Sequence, residues 1–556
     1  MLEIIITHYI EKINLCIFFC FCGMINPNKT GDVTMKKSNI CLLLAIIFIF
    51  SALAGCTNNE VANTASTSGS GEDEPMGNIR TDIVIGVSSD VVSPDPHDQN
   101  DTNSNRVIRM MFDSLVYCDT DGTIKPALAE SWEMISDTEY RFKLRQDVKF
   151  HNGYDFTAED VVFSLERQME SPKVKTFVSA IESVTADDDY AVTIKTKQPF
   201  APLLYNLSLT QSSIICSKHF DELTAAGKKY AEMPVGTGPM VFSSWLPNDN
   251  FTVKAFDGYW GEKPKATKIS VRVIPESSSR TIALETGEID VVESVPAIDI
   301  PRVMDNSSLK TYRQTSTSVT YASFNTRKAP FDNVKVRQAL SCAVDKEAII
   351  DVICEGYAVQ MNTIYPPAMP SYDDNLDLYP YDIERAKKLL VEAGYPDGFE
   401  IEIATSGDER NRIAQLLQSD FSKIGVNVKI SLLEWGAYLD YIGGTDHQMY
   451  IVGWSSGMEP DGSTTPLFHS ESVGPTGNRS WYQNAELDTL IDNGKSTMNM
   501  DERIEIYKEI QQVVMEDAVW IPLFAKETVI AMNKNLEGMV ISPTDSHFYV
   551  YSYVKE

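Results

Sequence analysis

Two rhythms of hydrophobic and polar positions interleave along this chain. Asp82–Ser88 (DIVIGVS), Tyr140–Leu144 and Tyr190–Thr196 place apolar residues at alternate positions, which predicts half-buried strands. Asn105–Leu115 instead carries Val107, Ile108, Met111, Phe112 and Leu115 at i, i+3, i+4 spacing, the mark of a helix packed on one face. Thr157-Ala-Glu-Asp160 running into VVFSLERQM reads as a helix start, with a hydroxyl cap and a carboxylate at the third helical position. Further on, Val334–Cys354 predicts a long amphipathic helical region, and Asp382–Glu392 a helix stopped by Gly394 and Pro396. Phe399–Ala404, Arg410–Ile424 and Val426–Leu432 follow as strand, helix and strand with short connections, the α/β pattern. Met449–Trp454 predicts a strand, Glu486–Asn493 and Met500–Asp517 helices, and Ile521–Phe524 a short strand.

The start of the chain follows neither rhythm. Lys36 and Lys37 precede an apolar run, Ile40–Phe50, and small residues then lead to Cys56, as in a secretory signal peptide over 35–55. The run is about half the ~20 residues that a membrane-spanning anchor, the competing reading, would need. Leu53-Ala-Gly-Cys56 resembles the lipobox of bacterial lipoproteins, which implies lipidation of Cys56 and attachment to a membrane through that lipid. Residues 1–34 read as an over-extended start, because Met35 with its two lysines is the natural beginning of such a signal. Residues 56–78, rich in Ser, Thr, Asn, Gly and acid, predict a flexible linker. Roughly 480 residues remain, too many for one core, so two or three lobes are expected.

Charge and cysteines narrow the chemistry. Lys+Arg 48 against Asp+Glu 78 gives a net charge of −30, which argues against nucleic acid as a partner. Cys118, Cys216, Cys342 and Cys354 show no metal-site spacing and are too few for a disulfide scaffold; Cys342 and Cys354 read as buried small apolar groups. The histidines of the body are scattered, so no metal site and no cofactor is expected.

Several blocks carry a likeness that pattern alone does not. They are Phe112-Asp-Ser-Leu-Val-Tyr117, Pro126-Ala-Leu-Ala-Glu-Ser-Trp132, Arg141–Arg167 with its His-Asn-Gly turn, and Pro234-Val-Gly-Thr-Gly-Pro239. Asn325 with Pro330–Leu340, Tyr381–Gly394, and Gly453-Trp454 with Pro460-Asp461 complete the series. In this order and spacing the chain, from about Ile83 onward, resembles solute-binding protein family 5, the oligopeptide, dipeptide and nickel class of ABC-importer receptors. The resemblance implies an α/β, two-lobed, hinge-closing periplasmic-binding-protein fold (class II-like) with an additional third lobe. The expected division is 79–112, 206–318 and 516–556 for lobe I, 113–205 for the extra lobe II, and 319–515 for lobe III. It further implies a monomer that is no enzyme. Such a protein would be exported and lipid-anchored on the outer face of the cytoplasmic membrane, and would deliver a peptide to permease subunits served by separate ATPase subunits.

The same likeness suggests where a ligand would sit. In peptide-binding members an extended ligand adds main-chain hydrogen bonds to two segments. The first follows Asp95-Pro96-His97 and falls on Asn100, Asp101, Thr102 and Asn103; the second is Trp454, as a wall, with Ser455 and Ser456. Tyr321, Asn325 and Phe524 are further candidates for the cavity lining. Family members often carry an Asp three residues after the Trp to pair with the ligand's α-amino group; here that position is Gly457, with Glu459 or Asp461 as substitutes. A nickel or metal-chelate receptor and a receptor for another small solute such as an oligosaccharide are the alternatives. A remoter one is a serine hydrolase, because Gly453-Trp-Ser-Ser-Gly457 matches G-x-S-x-G with His469 downstream. A nucleophile elbow needs a helix directly after the serine, and Met458–Gly462 reads as a turn.

Overall fold

Two long strands organise the molecule. A computed structural model describes residues 78–556, apart from 456, 476, 543, 545 and 546; the expected signal peptide, the expected linker up to 77 and the expected lipidation site Cys56 lie outside the described residues. The main sheet contains β1 (Asp82–Val87), β2 (Met240–Leu246), β3 (Asn250–Ala255), β4 (Lys268–Val273), β5 (Val291–Val292), β6 (Leu309–Phe324), β7 (Phe399–Thr405), β8 (Val426–Leu432), β9 (Met449–Ser455) and β10 (Trp520–Asn533). Their spatial order is β8-β7-β9-β6-β10-β5-β1-β4-β3-β2, with Ala358–Gln360 pairing on β10 as well. β6 and β10 run antiparallel through the middle of this order, and their ladder extends from Leu309↔Asn533 to Ser323↔Trp520.

The two ends of that ladder enter different cores. Ile530 and Met532 of β10 pack with Ile83, Ile85, Ile108 and Met111, whereas Leu523 and Phe524 pack with Phe421, Met449 and Ile510. A third core lies beneath a separate antiparallel sheet ordered Ala129–Ser136, Glu139–Leu144, Ala191–Thr196, Ile181–Asp188, and includes Phe142, Phe150 and Ile194. The fold is the α/β two-lobed binding-protein architecture with an additional lobe. Between the first two cores the β6–β10 register shifts: Thr315 faces Glu527, but the next pair is Val319 with Ala525. Ser316, Thr317 and Ser318 thus form a bulge at the lobe boundary, which breaks the ladder and bends the strand there.

Capping explains several element boundaries. The helix expected over Asn105–Leu115 is α1 (Thr102–Met111), because the Asp101 carboxylate accepts from Ser104 N at 2.9 Å and starts it earlier. It stops at Met111 because Gly238 N donates to the Met111 carbonyl at 3.0 Å, and a Cβ at Gly236 or Gly238 would overlap Met111 or Phe112. The Gly-x-Gly-Pro turn is therefore a close backbone approach. Val334–Cys354 is two helices, Val334–Cys342 and Lys346–Cys354, since Asp345 caps the second by accepting from Ala348 N at 3.0 Å. Cys342 and Cys354 are both buried.

Three expected cavity residues prove to be packing groups. Tyr321 is 1% exposed and stacks on Trp520 with ring centroids 3.5 Å apart; Phe524 is 0% exposed inside the same core. Asn325 is 2% exposed and donates through Nδ2 to the carbonyls of Thr445 and His447, both at 3.1 Å. Tyr321 and Phe524 are positions of two paired central strands that point into a core and so cannot also face a cleft, and Asn325, just past the end of β6, is held by its side-chain hydrogen bonds. We expect Phe524→Ala to destabilise the protein by about 3–5 kcal/mol, the usual cost of emptying a large aromatic site, in denaturant unfolding. Its folded fraction should retain wild-type ligand affinity; weakened binding at unchanged stability would return Phe524 to the cavity wall.

Candidate binding cleft

The first predicted segment hangs from a rigid anchor. Asp95 pairs with Arg167 through two hydrogen bonds of 2.8 and 2.6 Å and also accepts from His97 N. His97 is buried, and desolvation pulls its pKa down to about 4, so it is neutral and bonded to the Ser213 carbonyl at 3.2 Å. Asp-Pro-His is thus a structural peg that aims the residues after it. Asn100 follows, its side-chain oxygen accepting from Gln211 Nε2 at 3.0 Å, and Thr102 and Asn105 lie on α1.

The second segment closes on the first. Asn100, Thr102, Asn105 and Arg109 share a cavity of about 250 Å³ with Thr317 of the β6 bulge and with Ser455 and Gly457 beyond β9. Tyr205 and Met458 also belong to this wall and to a neighbouring cavity of about 600 Å³ that contains Met134, Met498 and Met500. Arg109 and Asp119 connect it to a third cavity of about 480 Å³. Together these spaces form one cleft to which all three cores contribute.

Not every predicted contact is available. Asp101 uses Oδ1 as the helix cap, while its Oδ2 is buried without a partner among the described residues. Asn103 accepts from Arg106 at 3.0 Å and faces a separate 250 Å³ cavity with Glu293 and Thr528. Ser456 lies outside the described residues. Trp454 does not line the cleft cavity: its indole packs on the large core and Nε1 donates to the Gly462 carbonyl at 3.3 Å. Strand alternation is the reason, because Ser455 faces the cavity and its neighbour must then face the other way.

The absent acid at position 457 has a steric cause. A Cβ on Gly457 would fall within the van der Waals radius of the Tyr205 hydroxyl, which sits over the glycine and accepts from Met458 N at 2.9 Å. Tyr205 lies on the short helix Leu203–Asn206, some 250 residues away in sequence, so nothing local announces it. The proposed substitutes are also engaged. The Glu459 carboxylate is buried in an ion pair with Arg503, one contact being 2.9 Å, and accepts from Asp461 N at 3.0 Å. Burial pushes the Asp461 carboxyl up to about 6, and the Thr465 hydroxyl donates to it.

Helix α2 (Asp461–Phe468) begins where a turn was expected, but residues 456–460 still separate it from Ser455, so the serine is not on a strand-to-helix elbow. His469 is buried beside Asp492 at 3.6 Å and accepts from Glu471 N. Among the described residues no group of three His, Cys, Asp or Glu side chains is placed to hold a metal ion.

A cleft walled by separately packed lobes and crossed by paired strands defines a class, the bacterial solute-binding receptors. The chain matches the model of bacterial extracellular solute-binding proteins, family 5, over residues 123–475, and it belongs to that family. It is 33% identical to Heme-binding protein A of Haemophilus influenzae, over 80% of this chain and 86% of that one. It is likewise 33% identical to the Dipeptide-binding protein of Escherichia coli, over 76% and 85%. The periplasmic binding protein DppA of Helicobacter pylori, solved with the peptide STSA, superposes with a TM-score of 0.72 at 32% identity, covering 86% of this chain and 99% of that one.

The Tyr205–Gly457 contact yields a direct expectation. Gly457→Ala should cost about 1–3 kcal/mol through overpacking, read as a lowered midpoint in denaturant unfolding. Adding Tyr205→Ala should recover part of that loss. Additive penalties in the double-mutant cycle would mean the two groups do not touch.

Proposed function

We propose that this protein captures peptides in the cleft and presents them to the permease of an ABC importer. The observation that carries the reading is the convergence of Asn100, Thr102 and Ser455 on one cavity from two different lobes. An extended ligand there would find backbone donors and acceptors on both sides, as in strand addition. The β6 bulge at Ser316–Ser318 supports a hinge, because it interrupts the ladder where the lobes meet and places Thr317 in the cavity wall. The cores support three lobes near 79–112, 206–318 and 516–556 for lobe I, 113–205 for lobe II and 319–515 for lobe III, except that Ala518, Val519, Trp520, Ile521, Leu523 and Phe524 pack in the core of lobe III, and Ile214 and Cys216 in that of lobe II.

The relatives are named for haem and dipeptide ligands, and one was solved with a bound peptide. The decisive experiment is therefore mass spectrometry of solute released by denaturing the purified body. Peptides are expected. A metal chelate, a haem or an oligosaccharide in their place would overturn the peptide assignment and leave the receptor role.

Gly457 sharpens the expectation for bound peptide. With Tyr205 in place of the acid and Glu459 closed by Arg503, the ligand's amino end has no free carboxylate at this position. Acetylating a bound peptide's N-terminus should change its affinity by less than about tenfold, roughly 1.4 kcal/mol. A much larger loss in calorimetry would demand a charged anchor.

The reading includes export under the 35–55 signal and attachment by lipid at Cys56, with the body a monomer on the outer face of the membrane. More than one acyl chain would make the attachment stable, since each buried CH₂ contributes about 0.8 kcal/mol. Cys56→Ala should release the protein into the soluble fraction or leave the signal uncleaved. Wild-type fractionation and processing of that variant would rule out the lipoprotein assignment.

A further inference from the structure

Arg109, half-buried with its Nε enclosed, differs from the other arginines around the cleft. It follows Thr102 by seven residues and Asn105 by four on α1, so the helical repeat sets all three on one stripe, and all three line the cleft cavity. One turn earlier, Arg106 is closed by Glu293 and Asn103. Arg167 is closed by Asp95, and Arg503 by Glu459. Among the described residues Arg109 has neither an ion pair nor a hydrogen bond, and its Nε is buried without a partner.

Among the described residues no carboxylate is bonded to it, although Asp113 and Glu262 line the 480 Å³ cavity that it also borders. The guanidinium lies over the Phe548 ring, 4.9 Å from the centroid, and its polar neighbours are the Tyr205 phenol and the Cys118 thiol. Desolvation draws its pKa below the ordinary value. Asp119, which shares the cavity, is paired with Lys125. The chain has 78 acidic residues against 48 basic ones, yet none among those described is placed on this cation. An enclosed charge without a partner is costly, and that cost falls when an anion arrives.

We propose that Arg109 is the counter-ion for a carboxylate of the ligand, so that the cleft selects its solute by negative charge at this point. The assignment rests on the cleft being the peptide site, and it complements the filled position at Gly457. A planar guanidinium takes a carboxylate through paired N–H donors, which gives orientation as well as attraction. Two parts of a peptide supply that chemistry, the C-terminal α-carboxylate and an acidic side chain.

The test compares wild type, Arg109→Met and Arg109→Lys by calorimetry with four probes: tetra-alanine, its C-terminal amide, Ala-Glu-Ala-Ala amide, and glutarate. Wild type should bind at least one carboxylate-bearing probe ten or more times tighter than the neutral amide. Arg109→Met should lose that preference and Arg109→Lys should keep part of it. Preference for the free C-terminus assigns the α-carboxylate; preference for the Glu-containing amide assigns the side chain. Without ligand, Arg109→Met should melt no lower than wild type, because it removes an unpaired charge while keeping the bulk over Phe548; should it fail to fold, the Arg109→Lys affinity ratio decides. Undiminished preference in the variants overturns the Arg109 assignment and leaves the peptide reading standing. Arg109-dependent binding of glutarate with no binding of any peptide does the reverse. Failure of all four probes to bind wild type overturns both.

Discussion

The antiparallel pairing of β6 with β10 is the constraint on which the rest depends. These strands belong to two hydrophobic cores at once, so each lobe inherits its orientation from one shared ladder. A ladder continuous in register would weld the lobes together. The shift between Thr315 and Val319 instead leaves a short polar stretch, Ser316-Thr-Ser318, at the junction. Ser318 N is satisfied locally by the Ser316 hydroxyl at 3.0 Å, so the break leaves that donor paired. Connection and the break in pairing thus reside in the same few residues, and Thr317 among them lines the cleft.

The cleft's chemistry follows from what each lobe brings to that junction. Lobe I supplies the α1 stripe, positioned by the Asp95–Arg167 pair and by the Asp101 cap. The additional lobe supplies Tyr205, and the distal lobe supplies Ser455 and Gly457. Most charged side chains near this meeting point are neutralised internally, Arg106 by Glu293 and Glu459 by Arg503. Such pairs hold geometry without presenting net charge to a solute. The methionines of the adjoining cavity add surface that can adapt its shape, since an unbranched thioether side chain repacks easily.

Much of the fold was legible because local signals and tertiary demands agreed. Strands 82–87, 399–405 and 426–432 have one or both faces buried, so their patterns survive in the sequence. The polar run Lys526-Glu527-Thr528 hid the true length of β10, because there the strand crosses the partly solvated lobe boundary. Hydrogen bonding to β6 carries the strand through a stretch where side-chain pattern gives no sign of it. The split of 334–354 into two helices was signalled only by Asp345, whose capping role is indistinguishable by pattern from a surface acid.

For the site, the resemblance carried by the sequence pointed to two segments, the one after Asp95-Pro96-His97 and the end of the Met449–Ser455 strand, and Asn100, Thr102 and Ser455 from them line one cavity. It also marked Gly457 as a departure from the family's usual acid. Tertiary structure alone decided which side chains face the cleft. Tyr321 and Phe524 look like binding aromatics in one dimension and are core in three, and the half-buried Trp454 packs against that core, since the side of a strand that faces solvent is set by its neighbours. Tyr205 above Gly457, and Arg109 without a partner among the described residues, likewise follow from distant residues brought together. Contacts of that kind depend on how three cores pack, and packing is a property of the whole chain rather than of any window within it.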